Sequence, residues 1–136
     1  MCGIFGVVSS NGDVQDRIFD GLRRLEYRGY DSSGIATINE DTIHCVKSQG
    51  NLDQLQKKLS NENLVGGVGI GHTRWATHGI PNEVNAHPHI TEEVAVVHNG
   101  IIDNYLSLKN QIIETGITFK SDTDNEAISH LLTLYI

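Results

Sequence analysis

Met1-Cys2-Gly3-Ile4-Phe5-Gly6-Val7-Val8-Ser9 opens the chain, and the reading of this stretch governs the rest. Cys2 to Ser9 is an apolar, glycine-containing run bounded by a turn at Asn11-Gly12, the pattern of a buried strand. Removal of Met1, which a small second residue permits, leaves one residue carrying both a thiol and a free α-amine. An α-amine titrates near about 8 and a thiol near about 8.5, so the amine can serve as base for its own sulfur. Nucleophile and base then arrive preassembled. The plainer reading is that Cys2 is only a small residue starting a strand, and Met-Cys-Gly alone does not exclude it.

Outward from that strand, Asp13 reads as the N-cap of a helix in which Val14, Ile18, Leu22 and Leu25 recur at near-helical spacing, up to a break at Arg28-Gly29. Gly34–Ile38 and Thr42–Lys47 alternate β-branched residues around a turn at Asn39-Glu40-Asp41, which predicts a hairpin. Leu52, Leu55 and Leu59 mark a short helix capped by Asn51 and ended by the Gly66-Gly67 break. Val68–Arg74 and Val94–His98 read as strands. The irregular Ala76–Thr91 between them is longer than a plain connector needs, and such loops often carry function. Leu106–Glu114 and Thr123–Ile136 have helical patterning, with Glu126 at capping-box distance from Thr123. The last helix reaches Leu134-Tyr135-Ile136 with no glycine, basic turn or polar tail, so the chain is expected to be a piece of a larger unit.

Composition narrows the function classes. The 136 residues carry a net charge of -7, with 38% hydrophobic and 20% charged residues, as expected for one folded unit. No Lys/Arg cluster exists to neutralise phosphates, since Arg23, Arg24 and Arg28 are too sparse, so nucleic acid and anionic membrane are excluded as partners. Neither a signal peptide nor a membrane-length apolar run occurs, and the expected location is cytoplasmic. The two cysteines, Cys2 and Cys45, are accordingly read as free thiols, with Cys45 in the strand-like Thr42–Val46 run as a small buried or half-buried residue.

A thiolate attacking an amide needs donors for the developing oxyanion. His98-Asn99-Gly100 offers a side-chain amide beside a glycine N–H, though an ordinary Asn-Gly turn would look the same. Thr73-Arg74-Trp75-Ala76-Thr77-His78-Gly79 supplies a cation suited to bidentate grip of a carboxylate, hydroxyls and an aromatic lid. Taken singly, Arg74 reads better as a surface ion-pair residue and Trp75 as a core anchor. Asp124 reads either as a ligand for a substrate ammonium or as a helix-start acid. His72, His78, His87, His89 and His98 fall close together, but no CxxC or HExxH spacing accompanies them. Neutral hydrogen-bonding pocket residues account for them better than a metal module, and no metal or cofactor is expected.

Together, CGIFGVV at the start, RRLEYRGYDSSGIA at 23–36, GHTRWATHG at 71–79, NAHPH at 85–89, VVHNGIIDN at 96–104 and SDTDNEA at 121–127 resemble the class II glutamine amidotransferases. The stretch Leu25–Ser32 and the pair Trp75-Ala76 are most similar to the isomerising glutamine:fructose-6-phosphate branch. The amidophosphoribosyltransferases and asparagine synthetases are the neighbouring alternatives. The resemblance implies an α+β N-terminal-nucleophile (Ntn) hydrolase fold, a four-layer αββα sandwich of two antiparallel sheets, incomplete in residues 1–136. It implies that Cys2 is the nucleophile, with Asn99 and Gly100 as the oxyanion hole. Arg74 and Asp124 would hold the α-carboxylate and α-amine of L-glutamine, Trp75, Thr77 and His78 would lie in a closing loop, and His87 would line the same region. It further implies a C-terminal sugar-isomerase domain that is absent here, and self-association is expected through exposed sheet edges. A truncated, catalytically silent glutamine- or partner-binding module is the alternative to an active glutaminase.

Overall fold

The computed structural model describes residues 1–77 and 79–136; His78 lies outside the described residues. In chain order the elements are β1 (Gly3–Val8), α1 (Gln15–Leu25), a 3-10 turn (Glu26–Arg28), β2 (Ser32–Asn39), β3 (Thr42–Gln49), α2 (Leu52–Asn61), β4 (Val68–Arg74), β5 (His89–Ile90), β6 (Ala95–Val96), α3 (Tyr105–Glu114) and α4 (Glu126–Tyr135). β1 to β4 form one antiparallel sheet in the order β1-β4-β2-β3, and β5 and β6 form a separate antiparallel pair. The predicted hairpin is present: Asn39 pairs with Thr42 around Glu40 and Asp41, whose φ angles of 47° and 62° match the twist of the flanking strands.

Strand register assigns the faces. Gly3, Phe5 and Val7 of β1 lie beside Thr73, Gly71 and Gly69 of β4 and Ser33, Ile35 and Thr37 of β2. Over this face lie the apolar stripes of α1 and α2. The core is Val14, Ile18, Leu22, Ile35, Val46, Leu52, Leu55, Leu59 and Leu64, with Val7 and Phe19 packed against it. α1 sits close because β4 presents glycine there: a Cβ on Gly69 would come within 2.7 Å of Ile18 Cδ1. Burying one such leucine or isoleucine contributes about 1.5–3 kcal/mol, so this helix–sheet layer is the main store of stability.

The opposite face carries Ile4, His72, Gly34 and Lys47 in one row. The His72 ring stacks on His87 at 4.2 Å, and Lys47 Nζ donates to Ala86 O at 2.8 Å, so the 80–98 segment with β5 and β6 forms the next layer. α4 covers β5 and β6, and α3 packs on α4. The layers therefore run helix, sheet, sheet, helix, with the second sheet reduced to two short strands. It leaves Ile4, Val8, Ile38 and Val68 of the first sheet exposed.

Several sequence expectations are corrected. β1 is an edge strand with Val8 80% exposed, because its apolar alternation meets a helix on one face only. Asp13 does not cap α1: its carboxylate accepts the Gly66 N–H at 2.7 Å, tying the helix start to the entry of β4. Asn51 occupies the N-cap position of α2 without a side-chain bond, and Glu26 Oε2 meets the Leu52 N–H at 2.8 Å instead. Val94–His98 pairs only at Ala95–Val96, since His98 turns inward toward His72 and His87. Thr123 and Glu126 form no capping box. The Thr123 hydroxyl bonds His89 Nε2 at 2.8 Å, and Glu126 accepts the N–H groups of Lys120 and Ser121 at 2.8 and 2.6 Å.

Candidate active site

The end of β4, the start of β1, the His98–Ile101 turn and the approach to α4 converge on one cavity of about 210 Å³. Met1, Cys2, Arg74, Trp75, Thr77, His87, His98, Asn99, Gly100, Ile101, Asp124 and Asn125 line it. Every sequence-predicted site residue among the described ones is therefore brought to a single place; His78 is the one that lies outside the described residues.

Cys2 sits there because β1 pairs in register with β4: Gly3 opposes Thr73, which leaves Cys2 beside the chain leaving Arg74. The Trp75 N–H donates to Cys2 Sγ at 3.3 Å, so the sulfur is already held at a backbone donor. Trp75 is 51% exposed and its ring meets Tyr30 edge-on at 6.3 Å, which is not the environment of a core anchor. Behind it, Asp31 fastens the loop base: its carboxylate accepts the Ala76 N–H, and its own N–H donates to Arg74 O at 3.2 Å.

Arg74 and Asp124 are both buried, at 4% and 2% exposure, and both line the cavity. Buried charges demand partners. Arg74 Nη1 donates to Ile80 O at 3.3 Å. Asp124 Oδ2 accepts the Ile102 N–H at 2.7 Å, whereas Asp124 Oδ1 has no hydrogen-bond partner among the described residues. Asp124 thus stands at the cavity wall with one carboxylate oxygen bonded and the other enclosed without a donor among the described residues.

His87 and His98 line the cavity, and His72 and His89 pack against His87 behind it. His72 Nε2 donates to His98 O at 3.2 Å, the His98 N–H donates to His87 Nδ1 at 3.4 Å, and the Asn125 amide spans His87 and His98. His87 and His89 rings meet edge-on at 4.5 Å. Burial pushes the His72 imidazole down to about 4 and the His89 imidazole to about 3, and it lowers His87 as well, with Arg74 and Lys47 nearby acting in the same direction. The three rings are neutral at physiological pH, as the hydrogen-bonding reading expected. No group of three or more His, Cys, Asp or Glu side chains among the described residues is arranged to hold a metal ion. The other thiol, Cys45, lies in β3; burial pushes it up to about 11, so it is protonated and unreactive, and both cysteines are free.

Reading the sequence missed Asn125 and Ile101 in the lining and Asp31 and Asn85 behind it. All four lay inside quoted motifs, but only the fold reveals what their side chains meet.

A model of the glutamine amidotransferase domain matches residues 52–135, and the chain belongs to that family. It is 53% identical over 135 residues to the isomerizing glutamine-fructose-6-phosphate aminotransferase of Rhizobium meliloti (strain 1021), covering 99% of this chain and 22% of that protein. The namesake proteins of Rhizobium leguminosarum bv. viciae and Pyrococcus horikoshii are 55% and 54% identical, again over 22% of their lengths. The chain thus spans about a fifth of the curated relatives it matches. Among solved structures, the glutamine phosphoribosylpyrophosphate amidotransferase from B. subtilis, complexed with ADP and GMP, superposes with a TM-score of 0.82 at 25% identity, over 98% of this chain and 29% of that one. The expected α+β Ntn-hydrolase architecture is the architecture of the chain.

Proposed function

We propose that the chain is the N-terminal part of a glutaminase domain, and that its cavity binds L-glutamine and hydrolyses it to glutamate and ammonia. The single observation that carries this reading is the meeting of Cys2, Asn99, Gly100, Arg74 and Asp124 in one cavity. Arg74 grips the α-carboxylate, and Asp124, whose Oδ1 has no hydrogen-bond partner among the described residues, receives the α-ammonium. With both ends held, the side-chain amide is delivered to Cys2.

Once Met1 is removed, the α-amine takes the Cys2 thiol proton and the thiolate adds to the amide carbonyl carbon. The negative charge moves onto the carbonyl oxygen, where the Asn99 amide and Gly100 N–H stabilise it. Collapse breaks the C–N bond, and the amine returns its proton to the departing nitrogen as ammonia. Water then adds to the γ-glutamyl thioester, and glutamate leaves with the sulfur restored.

In a protein of the relatives' length, the ammonia passes to a C-terminal sugar-isomerase unit for transfer to fructose 6-phosphate. The support for this step is the identity to the aminotransferases and the small share of their length that the chain covers. The same reading carries self-association and a cytoplasmic setting; no helix among the described residues is long and apolar enough to cross a membrane. The test is ammonia release from L-glutamine by protein lacking Met1. Release that survives Cys2→Ala removes the nucleophile. Absence of both release and glutamate binding removes the reading altogether.

A further inference from the structure

The two recognition charges, Arg74 at the end of β4 and Asp124 before α4, sit on segments separated by 50 residues of sequence, yet a substrate with one carboxylate and one ammonium requires them at a fixed spacing. Direct contact between them does not supply it; one side chain links their segments. Asn85 is completely buried. Its Nδ2 donates to Ile80 O at 2.9 Å and reaches Asp122 Oδ2 at 3.5 Å, while its Oδ1 accepts the Asp122 N–H at 2.8 Å. The Asn85 backbone N–H is held in turn by Asn82 Oδ1 at 2.8 Å.

Each arm of this bridge ends one step from a recognition residue. The Ile80 carbonyl that accepts from Asn85 also accepts from Arg74 Nη1 at 3.3 Å. On the other side, Asp122 precedes Asp124 by two residues. The loop is fitted to the amide as well: Gly79 has φ +75°, and a Cβ there would lie 2.7 Å from Asn85 Nδ2. A planar amide donates from one end and accepts at the other, so a single side chain joins a carbonyl on one segment to an N–H on the next.

Resting on the glutamine reading, we propose that Asn85 is a positioning residue that fixes the spacing between Arg74 and Asp124, and thereby makes the pocket selective for a free α-amino acid over a molecule with only the acid or only the amine. Asn85 touches no substrate. It acts by making the two charge contacts simultaneous.

The test uses the chain lacking Met1, residues 2–136, and measures how L-glutamate, glutarate and 4-aminobutyrate protect Cys2 from iodoacetamide, read as mass on the N-terminal peptide. The wild-type chain is expected to be protected by glutamate at concentrations at least about tenfold below those of glutarate, which lacks the α-amine, or 4-aminobutyrate, which lacks the α-carboxylate. In Asn85→Ala this advantage falls below about threefold, while the unprotected alkylation rate of Cys2 stays within about twofold. Asn85→Asp keeps the acceptor for the Asp122 N–H and loses the donor to Ile80; it shows an intermediate advantage and serves where the alanine variant does not fold. Weakening of all three ligands by one common factor, or an unchanged glutamate advantage in both variants, overturns the proposal, as does a wild-type chain that does not prefer glutamate. A wild-type chain protected by glutamate yet releasing no ammonia sinks the hydrolysis step alone, and the variants still decide the role of Asn85.

Discussion

Acidification should unfold this chain through its buried histidine cluster before it protonates the carboxylates. His72 is completely buried against His87 and titrates at about 4, where an exposed imidazole titrates near 6.5. Because the folded-state value is the lower one, the unfolded chain takes up a proton first as pH falls. Stability is therefore complete above about pH 6.5 and declines below it, down to pH 4. For His72 alone the loss at pH 5 relative to pH 8 is about 2 kcal/mol, since each pH unit in the window is worth about 1.4 kcal/mol per differential proton. His87 and His89 are lowered by the same burial and add to the slope. Glu126 acts in the same direction: burial opposes its charge, but bonds from Ser121 and Lys120 outweigh that and hold its carboxyl below the ordinary value of 4.5. Its effect is confined to lower pH, so the interval from 6.5 to 5 reads the imidazoles. The assay is urea unfolding at half-unit steps from pH 8 to 5, on the chain and on His72→Gln, whose amide can still donate to His98 O. The variant should lose about one proton's worth of the slope. Flat stability from pH 8 to 5, or an identical slope in His72→Gln, would refute the burial argument.

Asn99→Ala removes an oxyanion donor and should lower kcat for glutamine about 10²–10³-fold with little change in KM, measured by ammonia release. Asp124→Asn keeps an acceptor for the Ile102 N–H but loses the charge, so KM for glutamine should rise about 10–100-fold while alkylation of Cys2 by iodoacetamide is unaffected. Leu55→Ala, in the core under α2, should cost about 2–5 kcal/mol by urea unfolding and leave KM unchanged in the folded fraction.

The helices and the β2–β3 hairpin were legible because their signals are local: a 3.6-residue apolar period in α1, leucines at 52, 55 and 59, and a turn that needs positive φ. The candidate site was legible because its residues fall in short motifs at the start of β1, the end of β4, ahead of β5, in the turn after β6 and ahead of α4. What local pattern did not carry was the competition for side chains. Asp13, Thr123 and Glu126 each look like helix caps in one dimension, yet each is taken by a partner from another segment: Gly66, His89 and the Lys120–Ser121 backbone. The exposure of β1 was hidden for a related reason, since apolar alternation cannot say whether both faces find a cover. Asn85 is the sharpest case: a polar residue in an irregular loop, whose buried bonds join positions 80 and 122 only after the chain has folded.

The most direct test of the central claim is to quench protein lacking Met1 during incubation with L-glutamine and locate covalently bound glutamyl by mass on the digested chain. A γ-glutamyl group on the peptide that begins with Cys2, absent from Cys2→Ala together with ammonia release, is the expected result. Ammonia released at an undiminished rate by Cys2→Ala, or a glutamyl group found on Cys45 instead, would contradict it.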